Sequence, residues 1–73
     1  MSMVTESFLD DVQKAIEGMW NMGIVPSIQR LEVALKDRHF ADGDTIREAT
    51  KKLLDQDRIR SLPLAQPETA DQK

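Results

Sequence analysis

The chain has 73 residues, enough for one small domain with a thin core, since a chain of this size buries only about 60% of its unfolded surface. Its 40% hydrophobic and 32% charged residues are too apolar for full disorder, and the absence of cysteine excludes disulfides, thiolate nucleophiles and Cys-based zinc sites. A net charge of −3 argues against a sequence-blind nucleic-acid coat, and no apolar run reaches the roughly 18 residues that span a bilayer.

Residues 1–6 are expected to be a flexible N-terminus, with no basic start and apolar stretch of a secretory signal. The first periodic stretch runs from about Ser7 to Met22. Phe8, Val12, Ile16, Met19 and Trp20 recur at three- and four-residue steps, with Leu9 and Ala15 at the edges of the stripe. Asp10, Asp11, Gln13, Lys14 and Glu17 fill the other side. Ser7 or Thr5 caps the start, and Gly23 suits the left-handed position past the end.

Val25-Pro26-Ser27 breaks the chain and restarts it, because Pro26 cannot continue a helix from upstream. Ser27 predicts a cap for a second helix ending near Arg38, with Ile28, Leu31, Ala34 and Leu35 inward. Val33 falls off that stripe. His39 to Asp44 reads as a loop containing an Asp-Gly turn, anchored in the core by Phe40. Thr45 and Glu48 have the spacing of a capping box, with Asp44 as a rival cap. The third helix then buries Ile46, Ala49, Leu53 and Leu54 and ends near Gln56 or Asp57. Arg58 to Leu64 alternates polar and apolar residues, a strand period that Pro63 confines to an edge or ends. Residues 65–73 read as a disordered tail, which leaves 7–64 as the domain.

The expected fold is therefore mainly α: three helices plus a short C-terminal β-strand, the order of a winged helix-turn-helix. Pro26-Ser27-Ile28-Gln29-Arg30-Leu31-Glu32-Val33-Ala34-Leu35 resembles the positioning helix of GntR-type transcription regulators, which typically opens with Pro-Ser. Thr45-Ile46-Arg47-Glu48-Ala49, then Lys51-Lys52-Leu53-Leu54 and Ile59-Arg60-Ser61, is similar to that family's recognition helix and its run into the first wing strand. The resemblance spans about residues 8 to 62 and implies double-stranded DNA as the partner. The chain departs from the family in three respects. Its turn between Leu35 and Ile46 is several residues longer, only one wing strand is visible, and no ligand-binding or oligomerisation domain follows.

Charge is uneven along the chain. Residues 1–26 hold four acids and one base, whereas residues 27–64 hold eight bases and seven acids. If the third helix enters a major groove, Arg47, Lys51 and Arg58 share one side of its wheel. Arg47 would face a guanine edge, and Lys51 and Arg58 phosphates. Thr45 would offer its hydroxyl or N–H to a phosphate. Ser27, Arg30, Glu48, Lys52 and Arg60 complete the expected DNA surface, with Lys36 and Arg38 as further phosphate contacts. The plain alternative is a solvated helix face in which Glu48 and Asp55 balance the bases.

Met3, Met19, Trp20 and Met22 suggest an adaptable apolar contact surface, although core packing is the simpler expectation for Trp20. A homodimer is expected to meet through the first helix at Phe8, Met19, Trp20 and Met22. His39 has no second histidine, Asp42 and Asp44 lack the full calcium-loop pattern, no serine sits in a nucleophile elbow, and no glycine loop cradles phosphate. No enzyme activity, metal or cofactor is expected. The reading is a small cytoplasmic DNA-binding transcription regulator, with a non-catalytic protein-interaction module (adaptor or inhibitor) as the alternative.

Overall fold

The computed structural model describes residues 4–39 and 41–63. Among these residues three helices follow one another in chain order: α1 (Glu6–Asn21), α2 (Ile28–Leu35) and α3 (Gly43–Asp55). Each packs against both of the others. One core fills the space between them, built from Phe8, Leu9, Val12, Ile16 and Met19 of α1, Ile28, Leu31 and Leu35 of α2, and Ile46, Ala49 and Leu53 of α3. Ile59 closes it from beyond α3.

Each helix start is set by a side chain that takes up an orphan N–H. The Thr5 Oγ1 accepts from the Phe8 N–H at 3.1 Å, and the Ser27 Oγ accepts from the Arg30 N–H at 3.1 Å. At α3 the cap is Asp42, whose Oδ1 accepts from the Thr45 N–H at 2.9 Å. The helix thus begins two residues before the expected Thr45–Glu48 box. Asp42 holds extended backbone and reaches the third residue on, so the Asp-Gly pair opens a helix rather than closing a turn. Gly43 suits this start. A Cβ there would lie 3.0 Å from the Glu32 carboxylate and 3.3 Å from an Ile28 methyl, so its absence lets α3 approach α2 closely.

Two helices end in the same way. At α1 the Ile24 N–H donates to the Met19 carbonyl and the Gly23 N–H to the Trp20 carbonyl, with Gly23 at φ +76°. At α3 the Arg58 N–H donates to the Leu53 carbonyl and the Asp57 N–H to the Leu54 carbonyl, with Asp57 in the left-handed region at φ +63°. Among the described residues Asp57 is the single non-glycine residue with positive φ. The second helix stops at Leu35, three residues short of the expected Arg38, and a single turn follows in which the Arg38 and His39 N–H groups both donate to the Leu35 carbonyl.

The expected C-terminal strand is not formed among the described residues. Arg58 to Pro63 is irregular, and Leu64 lies outside them, as do Phe40, Met3 and residues 65–73. The left-handed Asp57 turns the chain back across α1. There Ile59 is buried, Leu62 remains exposed, and the Arg58 side chain is drawn to carboxylates. Among the described residues no neighbouring strand stands beside this alternating segment. Four burial states also differ from the sequence reading. Leu9 is in the core rather than at its edge, and Trp20, Ala34 and Leu54 are exposed rather than packed inward; Thr50, not assigned by the sequence reading, is buried. Thr50 tolerates burial because its hydroxyl donates to the Arg47 carbonyl at 2.8 Å.

Candidate nucleic-acid interface

The outer side of α3 follows from its inner side. With Ile46, Ala49, Thr50 and Leu53 at 0–1% exposure, the helical repeat leaves Arg47, Glu48, Lys51, Lys52, Leu54 and Asp55 facing water. Glu48, Lys51, Lys52, Leu54 and Asp55 line one shallow hollow of about 390 Å³. Bases and acids alternate across it. Arg47 stands beside Lys51 one turn on, and its Nη1 donates to the Asp44 Oδ1 at 3.0 Å. Asp44 is fully open to solvent and Arg47 about half so, which makes this a screened surface pair.

The first turn of α3 is occupied by the protein's own oxygens. Thr45 was expected to offer its hydroxyl or its N–H to a phosphate. Both are spent on Asp42, the hydroxyl donating to Oδ1 at 2.8 Å. These two bonds, the N–H first, hold the Asp42 carboxyl below its ordinary value. The dipole position that would attract an anion therefore carries a carboxylate, with a second at Asp44.

Arg58 does not join Arg47 and Lys51. The helix that would have put them on one wheel stops at Asp55, and Asp57 redirects the chain. The Arg58 guanidinium donates to Glu6 at 2.8 Å, Asp10 at 2.6 Å, the Gln13 side-chain oxygen at 2.8 Å and the Gln56 side-chain oxygen at 3.1 Å. The Glu6 bond, with Asp10 and against partial burial, raises its already high pKa. The acidic character of α1 was legible, but nothing local told which distant cation would meet those acids.

The remaining expected contacts divide similarly. Ser27 is 1% exposed, so its hydroxyl serves the α2 cap and not a backbone phosphate. Arg30, Lys36 and Arg60 are exposed. Arg38 donates to Asp11 at 3.4 Å, across from the His39 Nε2, which lies 2.6 Å from the other Asp11 oxygen. That histidine bond, aided by Arg38 and opposed by burial, lowers the Asp11 pKa. The His39 ring also stands edge-on to Phe8, 4.9 Å between centroids, so it ties the end of α2 to α1.

The expected dimer residues separate into two pairs. Phe8 and Met19 are core residues at 3% and 8% exposure, unavailable to a partner. Trp20 and Met22 are exposed, at 46% and 71%. Met19 takes the inward position in the last turn of α1, which leaves Trp20 beside a surface hollow with Ile16, Asn21 and Arg58 to Arg60. Met22, Ile24, Val33 and Ala34 line a second, mostly apolar hollow of about 480 Å³ between the end of α1 and α2, with Arg30 at its edge. Val33 is 67% exposed. Sequence reasoning noted Val33 as off the stripe without joining it to Met22, because the two are brought together only by packing α2 against the end of α1.

Among the described residues no group of three His, Cys, Asp or Glu is placed to hold a metal ion, and no helix is long and apolar enough to cross a membrane. No family model, curated protein or solved structure matches this chain.

Proposed function

We propose that this chain is a small DNA-binding regulator of the helix-turn-helix kind, with α3 as the helix that enters the major groove. The observation that carries the reading is the α3 surface. Its inner side is sealed into the core, and its outer side presents Arg47, Lys51 and Lys52 to solvent on a rigid element. Arg47 reads a guanine edge, Lys51 and Lys52 meet phosphates, and Arg30 and Arg60 extend the cationic surface. Ser27, Thr45 and Arg58 act on the fold and not on DNA. Trp20 and Met22, with Val33, form the surface through which two copies meet on a short operator. Occupying the operator regulates by blocking or recruiting polymerase.

The test needs no knowledge of the operator. Amide shifts of labelled protein are recorded while a generic duplex is added at low salt, and again at high salt. Shifts confined to residues 45–55 and Arg60 that vanish with salt support the reading. A silent α3 at concentrations where weak non-specific binding occurs overturns it. The apolar hollow of Met22, Ile24, Val33 and Ala34 favours a second reading, a protein-interaction module. In that case charge changes on α3 leave function intact, and Val33→Asp abolishes capture of the partner.

A further inference from the structure

We propose that residues 56–63 form a strap that opens from α1 as a unit, held shut by the Arg58 guanidinium on the Glu6 and Asp10 carboxylates. Three independent observations meet in this segment. Its first bend is strained, because Asp57 lies at φ +63°, where an L-residue sits at a cost. Its grip on the core is one side chain. Among the described residues Ile59 is the sole member of the core from outside the helices, and Arg60, Ser61 and Leu62 are exposed. Its clasp is ionic and joins the two ends of the domain. Arg58 donates to Glu6 at 2.8 Å, to Asp10 at 2.6 Å and to Gln13 at 2.8 Å, and Gln13 in turn donates to Glu17 at 3.1 Å. All four of those residues belong to α1. The backbone is tied to α3 only as far as the Asp57 and Arg58 N–H groups, which donate to the Leu54 and Leu53 carbonyls at 3.0 and 2.8 Å. A segment with so few apolar contacts detaches at a lower free energy than the helices it lies on. Open, it frees a cation and uncovers the Ile16 side of the core, since Ile16, Ile59 and Trp20 line one hollow of about 590 Å³. The Glu6 and Asp10 side chains are more than half exposed, so salt screens the clasp and gates the opening.

Native-state amide hydrogen exchange of the full chain reads this opening directly, with each rate taken relative to an unstructured peptide of the same sequence. The Asp57 and Arg58 amides should exchange faster than those of Val12, Leu31 and Ala49 at the helix centres. Raising sodium chloride should speed the two strap amides about threefold and leave the helix centres no faster. Glu6→Gln combined with Asp10→Asn removes both charges and leaves the strap's own sequence unaltered. It should speed the strap amides about fivefold at low salt and abolish their response to salt. Asp57→Gly relieves the left-handed residue and should slow the Arg58 amide about threefold. A urea melt of each variant shows whether the whole fold has moved. Strap amides that open only together with the helix centres, in salt and in both variants, overturn the proposal. So does a charge-free variant that speeds Val12 and Ala49 as much as Arg58, because the clasp then belongs to the whole fold. Strap opening that ignores both salt and the loss of the two carboxylates also overturns it. The DNA reading of α3 stands or falls separately, by its own titration with duplex.

Discussion

At the scale of single residues, the same few side chains are asked to do either structural or surface work, and hydrogen-bond geometry assigns them. Asp11 receives His39 at 2.6 Å and Arg38 at 3.4 Å, and its pKa is lowered below the ordinary 3.8. A depressed carboxyl contributes stability above its unfolded pKa and loses it as pH falls through the lower folded value. Acid titration followed by circular dichroism should therefore show stability falling below about pH 4. Asp11→Asn should flatten part of that fall and lower stability at neutral pH. Asp42 carries the same sign through its bonds from Thr45, so the acid loss is shared between the two sites. Ser27→Ala removes the α2 cap and should cost about 1 kcal/mol in urea unfolding, without changing binding to duplex, since its hydroxyl faces inward.

At the scale of elements, the ends of the helices decide where the chain goes next. Gly23 and Asp57 occupy the same left-handed position in the same hydrogen-bonded ending, one with a residue suited to it and one without. An L-residue in that region is strained by about 1–2 kcal/mol, a cost that Asp bears more easily than most. Asp57→Gly should raise stability by about 0.5–1 kcal/mol, and a β-branched replacement should lower it. Thermal melts of the two variants measure the difference. Both endings were half visible in the sequence. Gly23 is an ordinary signal for a helix end, whereas the third helix was expected to end near Gln56 or Asp57 with no residue suited to a left-handed cap, and Arg58 was read as part of a cationic stripe. The stripe was an extrapolation of the helical repeat past the residue where backbone hydrogen bonding ends it.

At the scale of the whole molecule, the three helices share one core, and among the described residues no second layer lies behind any pair of them. Stability of a domain this size is of the order of 0.05–0.15 kcal/mol per residue. Leu31 is fully buried where α2 meets the other two helices, and Leu31→Ala should cost about 2–5 kcal/mol, enough to unfold much of the population at 37 °C. Heteronuclear spectra should then collapse to the narrow dispersion of an unfolded chain. The uncovered apolar hollow works in the opposite direction, since a second copy seated on Met22 and Val33 would add core to both partners. Val33→Asp should leave the monomer fold intact, because that side chain is 67% exposed, and should abolish any dimer seen in sedimentation velocity.

Periodicity and caps alone determined the three helices seen among the described residues, most of the apolar positions they bury and Ser27 as the start of the second, while Ser7 and Thr5 stood as alternatives for the first. Those properties depend on residues within one or two turns of each other, which a linear reading captures. Tertiary structure decided the rest. It placed Arg58 against Glu6 and Asp10 rather than beside Lys51, left Arg58 to Pro63 without strand structure among the described residues, and turned Trp20 outward while Leu9 went in. Each of these depends on groups brought together across tens of residues, where burial and charge pairing outweigh local pattern.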